Sequence, residues 1–301
     1  MVSRKRRTYS RSTVVDASVE QVWDLLRDSQ AMYWIVTGTV LALPVPDRPA
    51  SVGALTCCWQ RASDGSLRAG VFEVVECEPH RLMVVLERQR PDANSRVEFR
   101  LAARGEQTQV QITLAESLFR YEWGMRGAGV NERYLSRLAE GLEVALANEV
   151  PGPHDVQTLV LQPEEAVGHE VFEIDIDASP EDVWRFVEDE EGTLLNLPEL
   201  EAQWTVNHDG HELQVQLFRT SAEGLSCAFQ RILRPEPLRL IVVAFGLEVD
   251  QQLLPRRNGC VLRATHRWNP RAVSAEMVAE SAQRWLAAVK GAAEGDARPA
   301  G

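Results

Sequence analysis

No stretch of this sequence stays apolar over the 18 or so residues that a membrane span needs. Its charged start lacks the hydrophobic segment of a signal peptide. Cysteine is scarce and odd in number: Cys57, Cys58, Cys77, Cys227 and Cys260 are the five. No two of them, and none of the six histidines, stand at metal-ligand spacing. These absences predict reduced thiols in a cytoplasmic chain, with no disulfide framework and no metal site. A phosphate-binding loop is missing too. The run Gly124, Gly127 and Gly129 has no strand before it, so no nucleotide cofactor is expected. Positive charge is short: 32 Lys and Arg against 44 Asp and Glu give a net charge of −12. A surface built to hold nucleic acid is therefore not expected. The basic start, Arg4-Lys5-Arg6-Arg7 with Arg11, reads as a solvated tail. No Ser/His/Asp order and no Cys/His pair suggests a nucleophile, so no catalytic residue is assigned.

What is present is a repeat. Asp16-Ala17-Ser18-Val19-Glu20-Gln21-Val22-Trp23 returns as Asp177-Ala178-Ser179-Pro180-Glu181-Asp182-Val183-Trp184. Each copy closes a run of strand formers and opens a helix. Ser18 and Ser179 are suited to cap it, Gln21 completes a capping box, and Pro180 takes the first helical position. Glu78-Pro79-His80-Arg81-Leu82 likewise returns as Glu236-Pro237-Leu238-Arg239-Leu240. A chain of 301 residues suits two domains of about 150 each. The first is expected over residues 8–148 and the second over 169–291, with a proline-marked linker at 149–168.

Between these motifs the pattern has period two. Leu55, Cys57 and Trp59 alternate with polar or small residues, as do Val97, Phe99, Leu101 and Val110, Ile112, Leu114. Leu213, Val215, Leu217 and Cys260, Leu262, Ala264 do the same in the second half. Cys57 and Cys58, adjacent on a strand, must point to opposite faces. Pro44, Pro46 and Pro49 mark an irregular connection. Each half ends in a helical stripe: Tyr134, Leu138, Leu142 and Leu146, then Val278, Ala282, Trp285, Leu286 and Val289. The tail from Gly291 is expected to fray.

The capped-helix stretches, the Glu-Pro-x-Arg-Leu strand entries and the final helices together resemble the SRPBCC, or START-like, helix-grip superfamily. The resemblance covers nearly the whole chain, twice. It implies an α+β fold of tandem helix-grip domains, each a curved antiparallel sheet wrapped around a long C-terminal helix. It also implies a pocket between helix and sheet for a small apolar molecule. Some members are polyketide aromatase/cyclases, and others resemble the heat-shock ATPase activator domain.

Strand parity and the helix stripes then name candidate ligand contacts. Trp59 shares parity with Leu55 and Cys57, which places it on the concave side. Arg61 and Arg219 continue two strands, and an arginine fork there suits a carboxylate or enolate oxygen. The plainer reading is a strand-end arginine in water, and it outweighs the other. Glu116 and His266 follow apolar alternation and could point inward, where burial would shift their titration; a satisfied core group is the simpler account. Trp34, Tyr134, Leu138, Trp204, Trp268 and Trp285 complete the set, while Trp23 and Trp184 are assigned to the core. Trp285 stands where the first copy has Gly141, which predicts a plugged second pocket and an open first one. Three functions fit: binding of a small hydrophobic ligand, polyketide cyclase/dehydratase chemistry, or a co-chaperone-like interaction module.

Overall fold

The computed structural model describes residues 6–36, 39–61, 67–88, 96–117, 128–147, 168–188, 199–208, 210–221, 224–244, 246–270 and 273–295. The expected linker at 149–168 lies outside them, except for Gly168; so do Gly124 and Gly127. The chain divides into two compact units, Met1–Asp155 with Arg219–Cys227, and Val156–Phe218 with Ala228–Gly301. Among the described residues no helix is long and apolar enough to cross a membrane.

The first unit runs β1 (Arg6–Val15), α1 (Val19–Arg27), a 3-10 turn (Ser29–Ala31) and α2 (Met32–Ile35). Six strands follow: β2 (Thr39–Pro44), β3 (Leu55–Arg61), β4 (Leu67–Glu78), β5 (Leu82–Glu87), β6 (Arg96–Arg104) and β7 (Gln107–Ser117). Helix α3 (Ala128–Ala147) closes it. The sheet order is β1-β7-β6-β5-β4-β3-β2. The second sheet repeats that order as β8-β14-β13-β12-β11-β10-β9. Its elements are β8 (Gly168–Ile176), α4 (Pro180–Glu188), β9 (Leu200–His208), β10 (His211–Arg219), β11 (Leu225–Glu236), β12 (Arg239–Ala244), β13 (Leu247–Arg256), β14 (Gly259–Trp268) and α5 (Ala275–Ala293). The fold is thus two seven-stranded antiparallel sheets with helices.

The repeated motifs have visible physical work. The Gln21 N–H donates to Ser18 Oγ at 3.3 Å, and the Ser18 N–H to Gln21 Oε1 at 2.9 Å, a complete capping box. In the second copy the Asp182 N–H donates to Ser179 Oγ at 3.1 Å, and Pro180 begins the helix. The Glu-Pro-x-Arg entry is a bulged turn in both units. His80 and Leu238 sit at φ 59° and 57°, the left-handed region. Beside each turn the register slips, between Val74 and Glu76 and between Leu233 and Glu236. The turn aims His80 at the core helix: its ring meets Trp23 edge-on at 5.9 Å.

Three expectations need correction. Arg6, Arg7 and Arg11 belong to β1, paired along its length with β7, rather than to a solvated tail. Arg11 Nη1 donates to Ser136 Oγ on α3 at 2.9 Å. The segment before Pro44 is a strand, β2, buried from Thr39 to Leu43, so it shows no alternation to read. The end of α5 is tied down rather than frayed at Gly291. Lys290 Nζ donates to the Asp175 carbonyl at 2.7 Å, and Glu294 Oε1 accepts from the Asp177 N–H at 2.9 Å.

Each unit has its own core. Leu135, Leu138, Ala139, Leu142 and Ala145 of α3 pack with Met83, Phe99, Leu101, Val110, Ile112, Leu114 and Trp23. In the second, Leu286 and Val289 of α5 pack with Ile232, Leu240, Leu253, Leu262 and Ala264, and Trp184 lies against them half-buried.

Candidate functional site

Directly opposed residues in a sheet share a face, so register identifies the face each helix covers. In the first sheet Ile112 opposes Phe99, Phe99 opposes Met83, and Met83 opposes Cys77. All four touch the α3 core. Beyond the bulge the same face continues through Val74 and Phe72 to Thr56 and Cys58 on β3. Trp59 opposes Ala69 and Leu41, on the other face. The expectation that Trp59 faces the helix is therefore wrong. Both faces of β3 are buried, with Cys57 and Cys58 each at 0% exposure, so apolar alternation carries no direction there.

In the second sheet the helix side carries Leu262, Ala264, His266 and Trp268 of β14, opposite Leu253, Gln251, Val249 and Leu247. Their neighbours on β8 are Ile174, Phe172, Glu170 and Gly168. The other face is ion-paired: Arg263 with Glu173 at 2.6 Å, Arg267 with Glu248 at 3.0 Å and Arg239 with Asp250 at 2.8 Å. On the helix side Gln216 Nε2 donates to Gln203 Oε1 at 2.7 Å, and Gln230 Nε2 to Gln216 Oε1 at 3.1 Å. Trp204 opposes Val215, one residue out of phase with that row. It is buried, but on the face away from α5, and this too corrects the expected placement.

His266 is 6% exposed. Its ring meets Phe172 edge-on, 5.2 Å between centroids. Desolvation lowers its pKa below the ordinary imidazole value, against a smaller opposing contribution from the Ala264 backbone. The unfolded chain therefore binds a proton more readily than the folded one. The stability this adds is complete above about pH 6.5 and is lost as pH falls below it. Glu170, opposite on β8, is exposed. We expect the urea midpoint of the second domain to drop between pH 7 and 5, and His266→Gln to flatten that dependence; an unchanged slope in the variant would assign it elsewhere.

The remaining candidates divide. Leu138 is buried in the α3 core, and Tyr134 lies half-buried against it. Trp285 packs half-buried against the second core. Trp268 is buried with its ring across Gly168, where a Cβ would sit 2.2 Å from the indole. That ring covers a glycine of the neighbouring strand. Arg219 ends β10 and is exposed. Arg61 ends β3 and the Glu116 backbone opposes Arg7; their side chains, like that of Trp34 in α2, lie outside the described residues. All five cysteines are free. Burial pushes the Cys58 and Cys227 thiols well up, away from reactive thiolates. The glutamine row and Gln251 were missed. Their signal was polar residues at inward parity, which alternation assigns to solvent by default.

Residues 6–143 match the family described as polyketide cyclase / dehydrase and lipid transport. The match lies within the first unit, and the second unit repeats that unit's strand order. The two copies share strand order, caps and the bulged Glu-Pro-x-Arg turn. Among solved structures, the di-domain ARO/CYC StfQ from the steffimycin biosynthetic pathway is 12% identical, with 96% of this chain and 99% of that one covered at a TM-score of 0.37. The di-domain ARO/CYC BexL from the BE-7585A biosynthetic pathway is 14% identical, over 97% and 100%, at 0.36. The Zhui aromatase/cyclase from Streptomyces sp. R1128 is 16% identical, over 47% and 92%, also at 0.36. No protein of curated function matches.

Proposed function

We propose that this protein binds a small hydrophobic ligand, of lipid or polyketide character, between the helix-side face of a sheet and the long helix that follows it. One observation carries the reading. Seven strands about 4.8 Å apart span about 29 Å, whereas a helix with its side chains is about 10–12 Å across. Helix α3 packs on β1, β7 and α2, and α5 on β8, β14 and α4, while the one-turn α2 lies against β2. Neither long helix by itself can cover the face out to β2 or β9. A curved sheet wrapped around the helix would leave a lined space there, which side chains, water or a ligand must fill. The match of the first domain to a family described by polyketide cyclisation and lipid transport supports the same reading.

The second reading is cyclase/dehydratase chemistry. His266, buried and held neutral, is the group that favours it. Native mass spectrometry of the purified full chain separates the outcomes. A co-purifying apolar molecule supports binding; turnover of a linear polyketide supports the enzyme. Neither, with no change in melting temperature across lipids, polyketides and aromatic acids, would leave the interaction module in possession.

The domains are proposed at 8–148 and 169–291, joined by the linker at 149–168, in a cytoplasmic protein with reduced thiols. Limited proteolysis should cut inside 149–168. A resistant chain uncut there would overturn the boundary.

A further inference from the structure

The two START-like domains line their helix sides differently. Register makes the comparison residue by residue. Val15 opposes Thr108 in the first sheet and Ile176 opposes Cys260 in the second, both at the foot of the last strand. Six residues further on stand Leu114 and His266; across from their inner neighbours Ile112 and Ala264 stand Phe99 and Gln251. So the second domain places a histidine and a glutamine where the first has leucine and phenylalanine. The contrast continues across the sheet. Gln216 lies between Val215 and Leu217 as Cys58 lies between Cys57 and Trp59. Gln216 bonds Gln203 and Gln230, whereas Cys58 has Ala42 and Gly70 opposite it.

Duplication of a fold does not require this. A helix-backed sheet face is ordinarily apolar, and a buried polar side chain there is retained only with partners. The row of three glutamines satisfies itself. Gln251 and His266 do not. Gln251 is 8% exposed and His266 6%. Gln251 Oε1 and His266 Nδ1 are both buried without a hydrogen-bond partner. Because Gln251 opposes Ala264 and Val249 opposes His266, the two are diagonal neighbours on one face. Diagonal pairs lie about 7–8 Å apart, so one small group between them can reach both. Around them are Phe172, Val249, Leu262 and Ala264, which supply an apolar wall.

We propose that the helix side of the second sheet is the site for an oxygen-bearing ligand, a largely apolar molecule whose hydroxyl lies between His266 and Gln251. The proposal rests on the ligand-binding reading above and assigns it to one domain and one chemical feature. A hydroxyl both donates and accepts, so it can donate to His266 Nδ1 while accepting from the Gln251 amide turned to present its N–H. A carboxylate suits the site less, since it only accepts and leaves the Nδ1 lone pair of the neutral imidazole without a donor. The first domain has Phe99 and Leu114 at these places, which cannot hydrogen-bond a hydroxyl; its own unpartnered buried atoms, Thr39 Oγ1 and Gln60 Nε2, lie on opposed residues of β2 and β3. This departs from the expectation that Trp285 closes the second domain.

The test uses the full chain and two probes, 2-naphthol and naphthalene, titrated by isothermal calorimetry. The native protein should bind 2-naphthol about fivefold or more tightly than naphthalene, the contribution of one neutral hydrogen bond. The double variant His266→Phe with Gln251→Leu should lose that preference and keep its affinity for naphthalene. A second measurement does not depend on the variant folding. With 15N-labelled histidine, the His266 Nδ1 resonance should move on adding 2-naphthol and stay in place with naphthalene. Equal affinity of the native protein for the two probes overturns this proposal and leaves the ligand reading standing. So does a preference that survives in the double variant, or a His266 resonance that ignores 2-naphthol, the result expected if water fills the gap. Binding of neither probe overturns this proposal, and the ligand reading is then decided by the wider panel of lipids, polyketides and aromatic acids.

Discussion

Gly259→Ala is expected to destabilise the second domain by about 2–6 kcal/mol, a large part of the 5–15 kcal/mol that a domain has. Two costs combine. Gly259 opens β14 at φ +107°, outside the range of residues with a Cβ, and such strain costs about 1–3 kcal/mol. An added Cβ would also lie 2.2 Å from the Ile176 carbonyl oxygen. That oxygen is backbone, on the strand paired with β14, so relief means shifting the β8 end from its register, at about 1–3 kcal/mol more. The displaced segment includes Asp177, whose N–H is held by Glu294 at the end of α5. The matching turn of the first domain provides the control. Gly105 has φ +68° and open space where its Cβ would go, so Gly105→Ala should cost only the backbone strain, about 1–2 kcal/mol. Urea unfolding followed by circular dichroism compares the two. Equal losses would show that the contact with Ile176 yields easily, and would sink the argument.

The turn at Gly259 shows what a sequence makes legible. Asn258-Gly259 between alternating strands, Ser-capped helices and paired Glu-Pro-x-Arg entries are local features, determined by the backbone needs of a few residues. They recur because both copies need them, and from them the two repeats could be read in order. The face of a strand is a different kind of fact. On β7 and β14 most outward residues are polar, so alternation points inward correctly to Ile112, Leu114 and His266. On β3 and β10 it fails. Leu55, Cys57 and Trp59, or Leu213, Val215 and Leu217, form the more apolar row, yet that row faces away from the helix and is buried all the same. The bulge beside Val74 and Glu76 adds to the difficulty, because one extra residue exchanges the faces of everything beyond it. Trp59 and Trp204 were misplaced for that reason. Gln203, Gln216 and Gln230 escaped notice for its converse: polar residues in an alternating strand look solvated until the register shows them bonded to each other beneath a helix.

Leu142→Ala carries the second large effect and tests the helix on which the ligand reading depends. Leu142 is 0% exposed, in the C-terminal half of α3. It shares one core with Val110, Ile112 and Leu114 of the neighbouring strand and with Trp23 of α1. Alanine favours the helix, so the backbone is not the cost. The loss is that of buried methyl groups and of the cavity they leave, about 2–5 kcal/mol. The upper part of that range applies where surroundings cannot close in, and a rigid seven-stranded sheet on one side argues for it. Val144, two residues on and 42% exposed, is the internal control. Val144→Ala should stay within about 0.5 kcal/mol, because the little buried surface it removes is offset by better helix propensity. Chemical denaturation of the full chain, monitored through the buried Trp23, reads both. If Leu142→Ala costs less than 1 kcal/mol, α3 does not back the first sheet in solution. The space proposed between sheet and helix would then have no wall.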